Sequence, residues 1–230
     1  MAGNQAAEKI APYVLLGMTA VTGLVDAVSL LSLGRVFTAN MTGNIVFLAF
    51  ATARVSEPSI ALSVTALVSF LTGAMLGGRI MARGSVKAQM RFAAQAFLLE
   101  VVVLGAASLC AIGYKGDLWE PSGRPLALIA LTALAMGTRN AAVRKLAIPD
   151  LTTTVLTLTL TGIAADSSLA NGNNPRLARR MGAVLAMFSG AVLGAVVVGY
   201  STAAALGLAA GISALCDAAL YRSLQTSDER

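Results

Sequence analysis

Short polar joints cut the chain into eight apolar runs, and the length of those runs decides what it can fold into. A helix needs about 20 consecutive apolar residues to cross the hydrocarbon core of a bilayer. The runs cover Pro12–Leu33, Phe37–Ala53, Pro58–Ile80, Phe92–Gly113, Pro125–Ala142, Leu151–Ala165, Met181–Gly199 and Thr202–Tyr221. Hydrophobic residues make up 57% of the chain and charged residues 12%, whereas soluble domains carry about 25% charged residues. Too little polar surface is left to cover a water-soluble globule. The expectation is an all-α integral membrane protein, a single membrane domain over residues 1–230, with the lipid bilayer as its first partner. The first run is too long for a secretory h-region and reads as a retained span.

The net charge of +6 has no nucleic-acid reading, because the basic residues are scattered between apolar runs without aromatic interleaving. They suit cytoplasmic loops and anionic headgroups instead. Histidine is absent, and Cys110 and Cys216 stand alone inside apolar runs. No metal-ligand spacing results, so no metal and no cofactor are expected. Without histidine, a GxSxG elbow or a metal cluster, an enzyme is not expected either.

Charge also sets topology. Arg79, Arg83, Lys87 and Arg91 follow the third run without an acid and mark a cytoplasmic loop. The loop with Lys115, Asp117, Glu120 and Arg124 is neutral and falls outside; Arg139, Arg144 and Lys145 return inside. Arg176, Arg179 and Arg180 stay inside only if the sixth run enters and leaves on one face. The same reading of the second run gives about six transmembrane helices plus two short re-entrant ones. Both termini are then cytoplasmic, in a multi-pass protein of the cell inner membrane. Trp119, Tyr13, Tyr114, Tyr200 and Tyr221 fall at run ends, where such rings prefer the headgroup level.

The two halves, approximately 12–113 and 125–222, resemble each other. Gly73-Ala-Met-Leu-Gly77 matches Gly190-Ala-Val-Leu-Gly194, Gly23-Leu-Val-Asp26-Ala27 matches Gly137-Thr-Arg-Asn140-Ala141, and Thr38–Asn44 falls opposite Thr152–Thr159. The offsets stay near about 115 residues, half the chain. With three spans per half, the repeat is inverted, a recurring transporter plan. The small-xxx-small glycines are expected to pack helices closely.

Thr38-Ala-Asn40-Met-Thr42-Gly43-Asn44 is the most informative stretch. The residues after it, Ile45–Val55, would rise roughly 16 Å as a helix, half the hydrocarbon core. Polar main chain at membrane depth is tolerated only when buried in protein or lining water. A half-helix starting near Asn44 would aim free N–H groups at the midplane, favouring an anion or polar ligand. The alternative is an ordinary N-cap at the interface through Thr42 or Asn44. Thr154 and Thr157 could supply hydroxyls from the other half, or bond their own helix. Asp26 lies well inside the first span and must be paired, protonated or functional. Glu100 is central in the fourth run. Arg139 and Asn140 end the fifth; Arg139 is either a counter-charge for a substrate or an arginine that snorkels to the cytoplasmic edge. Asp166 and Asp217 read as interfacial.

These residues resemble the YoaK-like family of bacterial inner-membrane proteins, a family of unknown function. The resemblance rests on Gly23-Leu-Val-Asp26-Ala27, on Phe37-Thr-Ala-Asn40-Met41-Thr42-Gly43-Asn44, and on Arg139-Asn140-Ala141 followed by Pro149-Asp150. It covers roughly residues 12–222. The chain departs from it in carrying Leu158 where a glycine is expected after Thr157. The resemblance implies a multi-span membrane protein and no substrate. On the residues, two functions compete: a transporter or channel for a small polar or anionic solute, coupled to protons through Asp26, or a membrane scaffold or regulatory subunit. Either could form a homo-oligomer.

Overall fold

The structure, a computed structural model, describes residues 5–54, 60–83, 88–118, 123–154 and 156–228. Pro58, Glu57, Lys87, Trp119 and Glu120 lie outside the described residues. The described chain holds eight α-helices: α1 Gln5–Ser32, α2 Met41–Thr52, α3 Ile60–Ala82, α4 Gln89–Cys110, α5 Arg124–Leu146, α6 Leu156–Ala165, α7 Leu177–Val198 and α8 Thr202–Asp228, with a 3-10 turn at Ser168–Ala170 before α7. Six are long and apolar enough to cross a membrane. The other two are not: α2 has 12 residues and α6 has 10, rising only about 18 and 15 Å.

Contacts between helices fix their directions. Gly73 and Gly77 lie against Leu134 and Thr138, so α3 and α5 run parallel. Gly190 and Gly194 lie against Ala20 and Leu24, so α7 runs parallel to α1. The Ser32 and Thr202 hydroxyls meet at 2.8 Å while Gly17 faces Cys216, making α8 antiparallel to α1. The Ser108 hydroxyl donates to the Ala203 carbonyl (2.8 Å), and Ser213 to Glu100, making α4 antiparallel to α8. Arg124 reaches the Ile112 carbonyl (3.3 Å) and Arg139 reaches Glu100, making α5 antiparallel to α4. Thus α1, α4 and α7 point one way and α3, α5 and α8 the other. The chain between α1 and α3 therefore starts and ends at one face, and α2 is re-entrant there. By the same reasoning α6 is re-entrant from the opposite face.

Two segments differ in detail from the expectation. The Phe37–Ala53 run is loop as far as Asn40, and its helix begins at Met41, three residues before Asn44. Helix α5 continues past Ala142 to Leu146, so Arg144 and Lys145 form its last turn and Arg139 lies about two turns inside it. Gly34, at φ +87°, supplies the left-handed turn that sends the chain back into the bundle after α1.

Helices α1 and α5 are the most buried and form the centre. Helix α1 packs on α7 and α8, and α5 on α3 and α4. Missing side chains allow the tightest crossings. A Cβ on Gly23 would strike the Met187 carbonyl, and one on Gly190 the Ala20 carbonyl; Gly73 and Gly137 make the same reciprocal contact with Leu134 and Phe70. In lipid, close backbone approach and dispersion replace the hydrophobic drive between helices. The rim is apolar and uncovered, with Leu71, Val102, Phe188, Val196 and Leu215 among its exposed side chains, as a lipid-facing surface requires.

Candidate functional site

The first re-entrant tip is built by its own sequence. The Phe37 N–H donates to Asn44 Oδ1 (2.8 Å), and Asn44 Nδ2 donates back to the Phe37 carbonyl (2.5 Å). The fully buried Asn44 amide thus stands in for a missing strand partner, satisfying loop backbone that lipid could not. The Phe37 ring stacks on Phe47, centroids 5.9 Å apart, and passes over Gly43, where a Cβ would collide with it. Gly43 and Asn44 therefore shape the tip. The N-cap reading through Thr42 or Asn44 is not what forms: the N-cap position is Asn40, without a side-chain cap bond to the helix. Its amide instead donates to the Asp26 carboxylate in α1.

The second tip is fastened in the same way. The Thr154 hydroxyl donates to Asn140 Oδ1 in α5 (2.8 Å). Both fastenings join residues 14 apart. Thr157, by contrast, is exposed on α6, and its carbonyl accepts from Thr161 (2.9 Å). It does not join the tip residues.

The two tips share a cavity of about 870 Å³. Asn40 and Thr42 line it from one tip, Thr152 and Thr154 from the other, with Asn140, Arg144 and Lys145 from α5 and Phe70, Ala74 and Gly78 from α3. Its size falls among ligand pockets, which span about 300–1,000 Å³. Asp26, Gly43 and Asn44 stand behind this lining. Asn140 Nδ2 is buried without a hydrogen-bond partner.

Arg139 corrects both sequence expectations for it. It is neither a free counter-charge nor an edge arginine that snorkels, but fully buried, with Nη1 donating to Glu100 Oε1 at 2.9 Å. Glu100 is equally buried and accepts a second bond from Ser213 (3.1 Å). Arg139 Nη2 donates to the Thr22 hydroxyl. Helices α1, α4, α5 and α8 all converge on this ion pair. Partnering explains why two charges are tolerated there: a buried charge left alone is what the interior cannot hold.

Sequence reasoning missed a third cluster. Arg180, near the start of α7, bonds Asp150 (3.0 Å), Asp166 (2.8 Å) and the Gly162 carbonyl (2.6 Å). It ties the loop before α6, and α6 itself, to α7. Burial works to raise the Asp150 carboxyl, but hydrogen bonds and charge from Arg176 and Arg180 outweigh it and hold the group below the usual carboxylate range. Asp166 is interfacial, with its side chain 45% exposed. Asp217 is not at a helix end: α8 continues to Asp228, and Asp217 lines a smaller cavity between α4 and α8. Among the described residues no group of His, Cys, Asp or Glu is arranged to hold a metal.

Six crossing helices, two re-entrant helices entering from opposite faces and a polar cavity at their tips define a polytopic, all-helical integral membrane protein. Its sequence matches the family described as "Protein of unknown function (DUF1275)" over residues 14–219. It is 35% identical over 155 residues to the UPF0700 transmembrane protein YoaK of Bacillus subtilis (strain 168), covering 67% of this chain and 65% of that protein. The chain belongs to this YoaK-like DUF1275 family. No solved structure matches it.

Proposed function

We propose that this protein moves a small polar or anionic solute across the membrane, binding it where the two re-entrant tips meet. One observation carries the reading: Asn40 and Thr42 from one tip and Thr152 and Thr154 from the other line a single cavity. Irregular polar backbone is affordable at depth where it faces water or a ligand. Half-helix N-termini offer unbonded N–H groups and a positive dipole end to an anion. Asn40, Thr42, Asn140 and Thr154 would hold the solute's polar group, and Arg144 and Lys145 would draw an anion in. Asp26, behind Asn40, would couple that movement to protons.

The halves read as an inverted repeat. Each helix of α1–α4 runs opposite to its counterpart in α5–α8, and Asp26–Asn40 and Asn140–Thr154 are equivalent fastenings. The glycine pair Gly23–Gly190 corresponds to Gly137–Gly73. Such repeats with broken helices are a common basis for alternating access. Arg79, Arg83, Arg91, Arg144, Lys145, Arg176, Arg179 and Arg222 fall at one face by the helix directions, which supports cytoplasmic termini in a cell inner membrane.

The test is flux into proteoliposomes with an internal pH dye, offering small carboxylates, inorganic anions and neutral polar solutes. Movement of one class, with the pH signal abolished by Asp26→Asn, is expected. The reading is sunk if nothing moves and a Thr42→Cys thiol cannot be reached by a water-soluble reagent from either side.

A further inference from the structure

Several buried polar atoms near the centre of the bundle lack a hydrogen-bond partner, among them Asp26 Oδ1, Glu100 Oε2, Arg139 Nε and Asp217 Oδ1. Orphaned polar atoms are costly in such an interior and call for a reason. Here they belong to one chain of neighbours. Arg139 holds Glu100 on one side and the Thr22 hydroxyl on the other. Asp26 follows Thr22 by one helical turn on the same face of α1, and Arg139 acts electrostatically on it. One guanidinium thus stands between two carboxylates. It bonds Glu100, while Asp26 is held by Asn40.

We propose that Glu100 is a proton-binding site, and that its protonation transfers the Arg139 guanidinium from Glu100 to Asp26, freeing Asn40 and the tip of α2. A proton from water adds to a Glu100 carboxylate oxygen, the Glu100–Arg139 ion pair breaks, and Arg139, still charged, pairs with the Asp26 carboxylate. The Asn40 amide then loses its place on Asp26. Both carboxylates remain satisfied, one by a proton and one by the guanidinium. This second arrangement can give Asp26 Oδ1 and Arg139 Nε the partners they lack in the first.

The proton has an entry. A cavity of about 240 Å³ between α4 and α8 is lined by Arg91, Gln95, Asp217, Tyr221 and Gln225. Asp217 lies one turn beyond Ser213, the residue that donates to Glu100. The charged and titratable groups acting on Glu100 are Arg139 from α5 and Asp217 and Cys216 from α8, with Asp26 of α1 reached through Arg139. This cavity is separate from the one at the tips, so proton and solute would approach by different routes.

The proposal rests on the transport reading for its purpose, but the switch is testable without a solute. The probe is Thr42→Cys, in a chain with Cys110→Ser and Cys216→Ser, reconstituted in liposomes and labelled with a membrane-impermeant maleimide. Labelling is normalised to denatured protein at the same pH. Between about pH 8 and about pH 5 the rate is expected to rise by about tenfold. Glu100→Gln should hold it at the acid level throughout, and Asp26→Asn should remove the pH dependence. A rate independent of pH, or an unchanged pH dependence in Glu100→Gln, overturns the proposal. Because Glu100→Gln removes the ion pair on which four helices converge and can block folding, carbodiimide modification of the unsubstituted chain gives a second measure. Mass spectrometry should find Glu100 modified increasingly as pH falls; no modification at any pH overturns the proposal. Absent flux with an intact switch would sink the transport reading alone, while flux with pH-independent labelling would sink this one alone.

Discussion

Asn44 grips Phe37 at both ends of one peptide residue, accepting from its N–H and donating to its carbonyl. The grip replaces the main-chain pairing that a re-entrant loop cannot find in lipid. Asn44→Ala removes both bonds and strands two backbone groups, at a cost of about 2–4 kcal/mol. Asn44→Asp keeps the acceptor but sets a buried carboxylate against the Phe37 carbonyl, so it should cost at least as much as Ala. Thermal unfolding in detergent, followed by helical circular dichroism, should place both variants below wild type. Equal melting for all three would mean that the tip holds without this amide.

Close helix crossings at glycine make a sharper contrast. Gly23→Ala and Gly137→Ala each drive a Cβ into a neighbouring carbonyl, of Met187 and Phe70 respectively. Backbone cannot retreat as a flexible side chain can, so both substitutions should lower stability by about 1–3 kcal/mol. Gly105→Ala meets nothing within 4 Å and should melt as wild type or slightly higher, since alanine favours helix. Melting temperatures of the three variants, purified in the same detergent, check this.

Much of this architecture was legible in the sequence. Run length marked the six crossing helices, and loop charge separated re-entrant from crossing segments, because both obey bulk properties of the bilayer. The small-xxx-small glycines Gly73, Gly77, Gly190 and Gly194 mark the crossings that hold the bundle together, whereas Gly78 meets nothing within 4 Å and the part of Gly23 and Gly137 in these crossings was not legible. Pairwise contacts were not legible. Arg139 looked like an edge residue because Arg144 and Lys145 read as loop; with α5 extended through them, it points instead at Glu100, four helices meeting where no spacing announces it. Thr157 shares the Thr-rich stretch with Thr154 and so reads as a lining residue, but as the second residue of α6 it faces outward. Gly43 and Asn44 were rightly conspicuous, yet they serve the hairpin and not the cavity.

The Arg180 cluster makes the α6 side of the molecule acid-sensitive. Asp150 is held below its ordinary value of about 3.9 by Arg176 and Arg180. A depressed carboxyl stabilises the fold above its unfolded value, and the contribution fades as pH falls through the lower folded value. Amide exchange in residues 147–165 should therefore rise as pH is lowered below about 4, after correction for intrinsic exchange rates. Asp150→Asn should show the raised exchange already at neutral pH, and little further change on acidification. The centre of α3, residues 61–78, carries no titratable side chain and serves as the internal reference.

If the two fastenings are equivalent, one can be rewritten as the other. Asp26 receives Asn40, and Asn140 receives Thr154, each across 14 residues. Asn140→Asp alone places a carboxylate at a buried site facing one hydroxyl, which desolvation makes unfavourable. Thr154→Asn alone sets two amides against each other, with weaker pairing than amide on carboxylate. The double substitution Asn140→Asp with Thr154→Asn rebuilds the chemistry of the first half in the second. A double-mutant cycle on melting free energy should give a favourable coupling of about 1–2 kcal/mol between the two changes. Additive effects would mean that the second tip does not present position 154 to position 140 as the first presents Asn40 to Asp26, and the correspondence between the halves would then stop at the helix crossings.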